Sequence, residues 1–265
     1  MKSEHVSFPN NKQPIGRPNE DYCICDDANG VYVVLDGVSR DAVDGVYPNP
    51  SPAAVVSEIF ADEVHKSLFE MLKSGISDYE AAVRNSMRIG NGCIAEYNNR
   101  GSYDFLPGTV GIVLLVRDGF AYFGFIGDGY GKVVSKHESR IFTRCQTEYV
   151  HKHKKEYTTD EIRNFICNNK DHPAGYGVLN GAKEALQFIE TGCFEFLPHE
   201  KILLYTDGFD KYLKNLSAQS LYELTIENVR ERTKSIAGIE EDDRTLVIIS
   251  RQIKMGSVSH RIENK

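Results

Sequence analysis

The order of strand-like and helical patterns limits the folds that this 265-residue chain can adopt. Strand-like apolar runs lie at residues 22–26 and 31–36 and again at 201–206 and 245–253, with helical patterns between the two pairs. A parallel α/β sheet would need a helix after each strand, and the chain lacks that regular alternation. We therefore predict an α+β protein built in layers.

An asparagine-glycine pair separates the first two apolar runs. Asn29-Gly30 lies between them, and Asn-Gly between β-rich segments is the strongest short signal for a hairpin. We predict two antiparallel strands joined by a tight turn.

Two long helical patterns follow the hairpin. In each, apolar residues recur three or four positions apart, which places them on one face of a helix. Pro52 and Ser77-Asp78 are suitable start signals. We predict a helical hairpin packed on a sheet. The stripes are Val56, Phe60, Val64, Leu68 and Met71 in the first helix and Val83, Met87, Gly90, Ile94 and Tyr97 in the second.

The second half of the chain returns to strand patterns. Runs at 109–117, 120–126 and 132–135 predict a three-stranded meander. Residues 136–181 have no regular period and contain the basic run His151-Lys152-His153-Lys154-Lys155, so we predict an inserted flap. A further helical stretch is predicted at 216–234.

Acidic clusters stand where apolar runs begin or end. They are Glu20-Asp21, Asp36-Gly37, Asp207-Gly208 and Glu241-Asp242-Asp243. Carboxylates suit hard cations such as Mg²⁺ or Mn²⁺, and a neighbouring glycine lets the backbone approach closely. One Asp-Gly pair alone is typical of an ordinary turn at a strand end. Four acidic clusters of this kind together predict a metal-dependent hydrolase.

The composition argues against several other classes. A formal net charge of −7 and a pI near 5.7 disfavour nucleic-acid binding, because surfaces that follow phosphates are normally basic. The six cysteines include no C-x-x-C pair, so they predict reduced thiols. We find no signal-peptide pattern and no apolar run of membrane-spanning length. We expect a cytoplasmic monomer without nucleic-acid or membrane partners.

Six short motifs follow one another along the chain. They are Arg17-Pro-Asn-Glu-Asp21, Val34-Leu-Asp36-Gly37, Gly108-Thr109, Ile126-Gly-Asp128, Leu204-Tyr-Thr-Asp207-Gly208 and Asp242-Asp-Arg-Thr245. Their order resembles that of type 2C serine/threonine protein phosphatases, the metal-dependent PPM family, in its small bacterial-like form. The resemblance covers roughly residues 15–252.

The resemblance implies an α+β fold with a central antiparallel β-sandwich flanked by pairs of α-helices. It implies a single phosphatase domain over residues 1–255, with the flap inserted at about 136–181, and a mobile tail over 256–265. The implied activity is hydrolysis of phosphoserine or phosphothreonine in proteins. A phosphorylated protein in a signalling pathway is the expected partner.

The resemblance also implies two or three Mg²⁺ or Mn²⁺ ions. Asp36 would bridge two ions, and the Gly37 carbonyl and Glu20 would complete one of the two sites. Asp207 and Asp242 would hold the other ion. Two such ions activate a water molecule for attack on phosphorus, so the reaction needs no protein nucleophile.

Two further acidic positions follow from the same comparison. Asp128 would help to bind a third ion together with Asp207. Asp21 matches an acidic position that orients coordinated water.

An arginine is expected to grip the phosphoryl oxygens, and Arg17 is the candidate. It lies three residues before Glu20, where four is common, so Arg40 is an alternative. The predicted catalytic residues are Arg17, Asp36 and Asp207.

The chain departs from the family pattern at three other places. Val38 stands where many members have a histidine that protonates the leaving oxygen, so this role is expected to fall to coordinated water. Gly129-Tyr130 replaces the usual serine-arginine after Asp128. Asp243 replaces the usual asparagine beside Asp242.

Two other functions stay open at this point. Val38 and Tyr130 favour a catalytically silent relative that uses the fold as a sensor or binding module. The retained carboxylates argue against it, because without cations they repel one another. The second alternative is a nuclease or another phosphoesterase that acts on small molecules. Comparing the turnover of free nucleotides with that of phosphopeptides would distinguish it from a protein phosphatase.

Overall fold

A computed structural model describes residues 1–10, 18–38, 46–236 and 242–251. Ten strands lie in this part of the chain, and they form two sheets. The strands are β1 (Lys2–Phe8), β2 (Tyr22–Asp26), β3 (Val31–Val38), β4 (Gly108–Arg117), β5 (Phe120–Ile126), β6 (Tyr130–Val134), β7 (Ser139–Ile141), β8 (Glu190–Glu195), β9 (Lys201–Tyr205) and β10 (Arg244–Ser250).

Seven α-helical segments accompany the strands in the described ranges, and only two of them are long. They are α1 (Pro52–Lys73), α2 (Tyr79–Asn98), α3 (Glu148–Lys152), α4 (Thr159–Glu161), α5 (Asp210–Leu213), α6 (Ala218–Tyr222) and α7 (Ile226–Ile236). None of the described helices is both long enough and apolar enough to cross a membrane.

Each sheet has five strands, and all neighbouring strands are antiparallel. The first sheet has the order β1-β10-β9-β6-β7, and the second has the order β2-β3-β4-β5-β8. Tyr32 and Ile112 of the second sheet pack against Leu204 and Val247 of the first, so the sheets form a sandwich. This apolar layer between the sheets is the centre of the molecule.

Helices cover both outer faces of the sandwich. The buried faces of α1 and α2 pack on the second sheet, where Phe60 and Met87 contact Val33 and Val113. On the first sheet, residues of α5, α6 and α7 pack around Tyr205. The order is therefore helix, sheet, sheet, helix, and the predicted α+β sandwich between helices is confirmed.

Local sequence signals explain the long helices. Ser51 caps α1 by accepting a hydrogen bond from the Ala54 backbone N–H at 3.1 Å, with Pro52 in the first turn. Asp78 caps α2 in the same way, through the Ala81 N–H at 3.0 Å. The predicted helical pair and the hairpin of β2 and β3 are confirmed.

The predicted meander is wrong in its third strand. β4 pairs with β5, but β6 pairs with β9 and β7 in the other sheet. The turn between β5 and β6 contains Gly127, whose φ of +87° is favourable only for glycine, and it carries the chain from one sheet to the other. Asp128 therefore lies at a crossing between the two sheets.

Three further segments differ from the predictions. The helical stretch predicted at 216–234 is two helices, α6 and α7, and the last strand begins at Arg244 and ends at Ser250. Strands β1 and β8 were not predicted, because each lies at a sheet edge and alternates weakly between apolar and polar residues.

The segment predicted as a flap consists of short elements. It contains β7, α3 and α4, followed by a π-helical turn at Ile162–Ile166. The side chain and backbone of Thr158 form a capping box with Glu161 at the start of α4. The division into a domain over 1–255 and a tail over 256–265 stays a prediction, and the tail lies outside the described residues.

Candidate active site

Strand geometry brings three predicted carboxylates to one end of the first sheet. Asp207 lies two residues after the end of β9 at Tyr205, Asp128 lies two residues before the start of β6 at Tyr130, and Asp242 precedes β10. Because β9 is antiparallel to both β6 and β10, its last residues lie beside the first residues of these two neighbours. The three carboxylates therefore belong to the same edge of the sandwich.

The second sheet contributes the other predicted acidic residues at the same end. Asp36 lies near the end of β3, and Glu20 and Asp21 precede β2, which is the antiparallel neighbour of β3. A Cβ added to Gly37 would lie 2.6 Å from the Glu20 carbonyl oxygen. Glycine at this position therefore lets the two chain segments approach closely.

Asp36 lies where the negative charges converge. Burial raises the pKa of its carboxyl well above the usual range, and the nearby Asp21, Asp207, Asp128 and Asp242 raise it further. A carboxyl in this environment disfavours the charged form unless a cation neutralises it. The surroundings of Asp36 are thus those of a cation-binding residue.

Asp207 shows the same effect. Burial, followed by the charges of Asp128 and Asp242, raises its pKa to about 7. A carboxyl whose pKa is raised in this way keeps its proton to a higher pH, so protonation partly neutralises the cluster near neutral pH.

The flap approaches this cluster at Asp128. The Thr147 hydroxyl donates a hydrogen bond to the Asp128 carboxylate at 2.8 Å. Burial raises the pKa of Asp128, while this hydrogen bond and the nearby His151 oppose the rise. Thr147 was not predicted as a site residue, and nothing in its local sequence marks it.

Other partners hold Glu20 and Asp21. The Glu20 carboxylate accepts hydrogen bonds from the Tyr47 hydroxyl at 2.7 Å and from the Ser51 hydroxyl at 2.5 Å. One Asp21 oxygen accepts a hydrogen bond from Thr206 at 2.9 Å, and the other is buried without a partner. Burial raises the pKa of Asp21 well above the usual range. An unpartnered buried carboxylate oxygen fits a site that receives an additional ligand.

The donor set fits a hard divalent cation, although the side chains hold other partners. The five converging aspartates and Glu20 offer only oxygen, as Mg²⁺ and Mn²⁺ prefer. Over the described ranges, no group of three or more His, Cys, Asp or Glu side chains is arranged to hold an ion as it stands. Glu20, Asp21 and Asp128 each accept a hydrogen bond from a hydroxyl group instead.

Asp243 organises the backbone around the cluster, a role that the sequence did not suggest. Its Oδ2 accepts a hydrogen bond from the Glu20 backbone N–H at 2.8 Å. Its Oδ1 accepts from the Asn10 backbone N–H at 2.6 Å and from the Asn10 side-chain amide at 3.0 Å. The carboxylate of Asp243, which precedes β10, thus joins the segment before β2 to the segment after β1.

Replacing Asp243 should lower stability in a graded way. Asp243→Ala leaves the buried Glu20 N–H without an acceptor, so we expect a loss of about 2–4 kcal/mol in the free energy of unfolding. Asp243→Asn keeps one oxygen and should cost less. Urea unfolding of both variants measures the difference. Equal stability of wild type and Asp243→Ala would contradict the structural role.

A cleft of about 540 Å³ opens over the acidic cluster. Asp36, Asp128 and Asp242 line it, together with Val38, the residue that stands in place of the family's histidine. Residues of the flap form the facing wall. Arg17 and Arg40, the two candidates for phosphate binding, lie outside the described residues.

Comparisons with known proteins identify the fold. No protein-family model and no curated protein matches the sequence. The Mycobacterium tuberculosis serine/threonine phosphatase PstP/Ppp matches with a TM-score of 0.66 and 17% identity, over 94% of this chain and 99% of that chain. The catalytic domain of PstP in complex with two manganese ions matches with a TM-score of 0.65 and 18% identity, over 93% of this chain and 96% of that chain.

A third match bears the family name. The PPM Ser-Thr phosphatase MsPP from Mycobacterium smegmatis, in complex with cacodylate, gives a TM-score of 0.60 and 14% identity over 95% of this chain and 99% of that chain. This chain has the PPM phosphatase fold. The match extends over nearly the whole chain, and the acidic cluster lies at one end of the sandwich.

Proposed function

We propose that this chain is a metal-dependent serine/threonine protein phosphatase. The observation that carries the proposal is the convergence of four other carboxylates on the half-buried Asp36, in a chain with the PPM fold. The match to PstP with two manganese ions supports the use of a divalent cation. Either Mg²⁺ or Mn²⁺ fits the oxygen donors.

The two sheets would each supply part of the metal site. Asp36 would contact two ions, with Glu20 and the Gly37 carbonyl on one side. Asp207 and Asp242 would complete the other side. The ions would supply a water molecule activated for attack on phosphorus and would neutralise the phosphoryl charge.

Two other carboxylates would act at the margins of this centre. Asp128, fixed by Thr147, would take part in a third ion site with Asp207. Asp21, fixed by Thr206, would orient coordinated water. Arg17, or Arg40 in its place, would hold the phosphoryl oxygens through its guanidinium.

Val38 limits the acid catalysis that the cleft can provide. Val38 has no proton to donate, so it cannot assist departure of the substrate oxygen. Its apolar side chain lines the cleft two residues from Asp36 and reduces the access of water there. We propose that the proton for the leaving oxygen would come from solvent instead.

The cellular setting is part of the proposal. All six cysteines, each within the described residues, are free thiols, which fits the reducing cytoplasm. We propose that the chain acts there as a monomer on phosphorylated proteins in signalling, without nucleic-acid or membrane partners.

A direct assay tests the proposed activity. We expect the purified protein to hydrolyse para-nitrophenyl phosphate and a phosphothreonine peptide with Mn²⁺ or Mg²⁺ and to lose turnover in EDTA. Faster turnover of free nucleotides than of phosphopeptides would indicate a small-molecule phosphoesterase instead. Turnover that persists in EDTA would contradict the metal-dependent mechanism.

One observation favours a silent binding module as the second candidate. The Glu20 carboxylate is engaged by Tyr47 and Ser51, and Val38 cannot act as an acid. A silent module would bind a phosphothreonine peptide at a stoichiometric ratio without releasing phosphate. Calorimetry combined with a phosphate-release assay distinguishes the two functions.

Ser51 should matter for metal affinity as well as for the helix. Ser51→Ala removes the cap of α1 and a hydrogen bond to Glu20, so we expect unfolding to become easier by about 1–2 kcal/mol and Mn²⁺ affinity to change. Urea unfolding and calorimetric titration of Mn²⁺ measure the two effects.

Asp78→Ala is the matched control, because it removes the cap of α2 without touching Glu20. It should lose similar stability and keep the affinity of the wild type for Mn²⁺. Identical Mn²⁺ affinities for the two variants would show that Ser51 is only a helix cap.

A further inference from the structure

The basic run of the flap does not direct all of its charges to solvent. Lys152 forms an ion pair with Glu148 at 2.6 Å, and His153 pairs with Glu156 at 2.8 Å. His151 and Lys154, in contrast, line the cleft above the acidic cluster. Lys154 has no ion-pair partner among the described residues.

Apolar side chains also line the cleft beside these basic residues, with a further cation among them. They are Val150 and Ile162 of the flap and Phe105 and Leu106 from the segment before β4, and polar residues such as Thr159 lie between them in the lining. The guanidinium of Arg163 lies over the Phe105 ring at 4.6 Å, which fixes an additional positive charge at the wall. Among the described lining residues outside the carboxylate floor, Asp104 is the only acidic one, and it is accompanied by the cations Lys154 and Arg163.

The cleft therefore has two chemically different sides. A phosphoryl group bound at the carboxylate floor would leave the neighbouring residues of its polypeptide against the flap wall. An acidic side chain on such a residue would meet Lys154 and Arg163, whereas a basic one would meet like charges. Opposite charges across a contact favour association, and like charges discriminate against the wrong partner.

We propose that the flap wall selects phosphoprotein segments with acidic residues next to the phosphorylated residue. Lys154 is the main determinant, because it lines the cleft and has no ion-pair partner among the described residues. The apolar residues Phe105 and Ile162 provide the surface on which the peptide packs. This inference rests on the proposed phosphatase function and specifies its substrate class.

Two peptides that differ only in flanking charge test the proposal. One phosphothreonine peptide has glutamate on both sides of the phosphothreonine, and the other has lysine. For the wild type we expect kcat/KM to be about three- to tenfold higher for the glutamate peptide, as for exposed charge pairs. Lys154→Glu should remove or reverse this preference and leave turnover of para-nitrophenyl phosphate unchanged, because that substrate has no flanking residues.

Lys155→Glu is the matched control. Lys155 belongs to the same exposed basic run but does not line the cleft, so its reversal should keep the wild-type preference. Equal preference in wild type and Lys154→Glu, or an equal loss in Lys155→Glu, would overturn the proposal.

Failure of the proposed function gives a different result. If para-nitrophenyl phosphate and both peptides are not hydrolysed with either metal, the phosphatase function fails. Fluorescence anisotropy with the same labelled peptides then tests selection by charge on binding alone. Tighter binding of the glutamate peptide by the wild type, lost in Lys154→Glu, would support the flap wall, and equal binding would reject it.

Discussion

Asp36→Asn should abolish metal-dependent phosphatase activity while leaving the protein folded. The substitution keeps the size of the side chain and removes the charge on which four other carboxylates converge. If Asp36 is shared by two ions, as proposed, its replacement should lower kcat by more than about a thousandfold, since water activated by two ions would need both of them. Para-nitrophenyl phosphate turnover with saturating Mn²⁺ measures this loss.

The same variant should be more stable than the wild type without metal. The pKa of Asp36 is raised in the folded protein, so ionising it near neutral pH opposes folding, and the amide has no such cost. We expect the Tm in EDTA to rise by about 2–4 °C for each kcal/mol relieved. The stabilisation by Mn²⁺ should shrink at the same time.

Asp171→Asn is the control for the amide substitution, because Asp171 is exposed and does not line the cleft over the acidic cluster. It should keep both activity and the response to Mn²⁺. Near-normal turnover in Asp36→Asn, or a lowered Tm in EDTA, would show that Asp36 has a structural role instead of the proposed catalytic one.

The parts of the fold that the sequence predicted are those with local signals. The stripes of α1 and α2 bury one face of each helix, and the β2–β3 hairpin has an Asn-Gly turn. The sheet to which β6 belongs depends on pairing with β9, about 70 residues later in the chain, and a local pattern contains no such information. An alternating apolar run predicts a strand but not its neighbour.

The candidate site was predictable for a different reason. Order and spacing of the acidic motifs indicated which carboxylates belong together, and strand ends bring them to one edge. The residues that hold them come from remote segments: Thr147 from the flap, and Tyr47 and Ser51 from before α1. Hydrogen bonds of this kind depend on tertiary geometry, so a serine or threonine gives no sign of them in sequence.

Stability of the metal-free protein should decrease as the pH rises toward neutrality. The pKa of Asp207 is about 7 in the folded protein, against about 4 for an unfolded aspartate. Between these values the folded state binds more protons than the unfolded state, so raising the pH favours unfolding. Asp21, Asp36 and Asp128 act in the same direction, because their pKa values are also raised.

Divalent cations should reverse this trend. Protons and cations compete for the same carboxylates, so Mn²⁺ should raise the Tm more at about pH 8 than at about pH 5.5. Asp26 and Asp27 have lowered pKa values, so their contribution to stability is lost only below this pH range. They therefore do not mask the pH dependence of the acidic cluster. Thermal unfolding with EDTA or Mn²⁺ at both pH values measures the difference.

The variant Asp207→Asn tests whether the acidic cluster, and not the rest of the protein, causes the pH dependence. If the acidic cluster is the cause, the Tm of the variant in EDTA should fall less between the two pH values than the Tm of the wild type. At the higher pH, Mn²⁺ should raise the Tm of the variant much less than it raises that of the wild type. A metal-free Tm that rises with pH in the wild type would show that other groups dominate. A slope unchanged in the variant would assign the effect elsewhere, because the pKa of Asp207, about 7, lies between the two pH values.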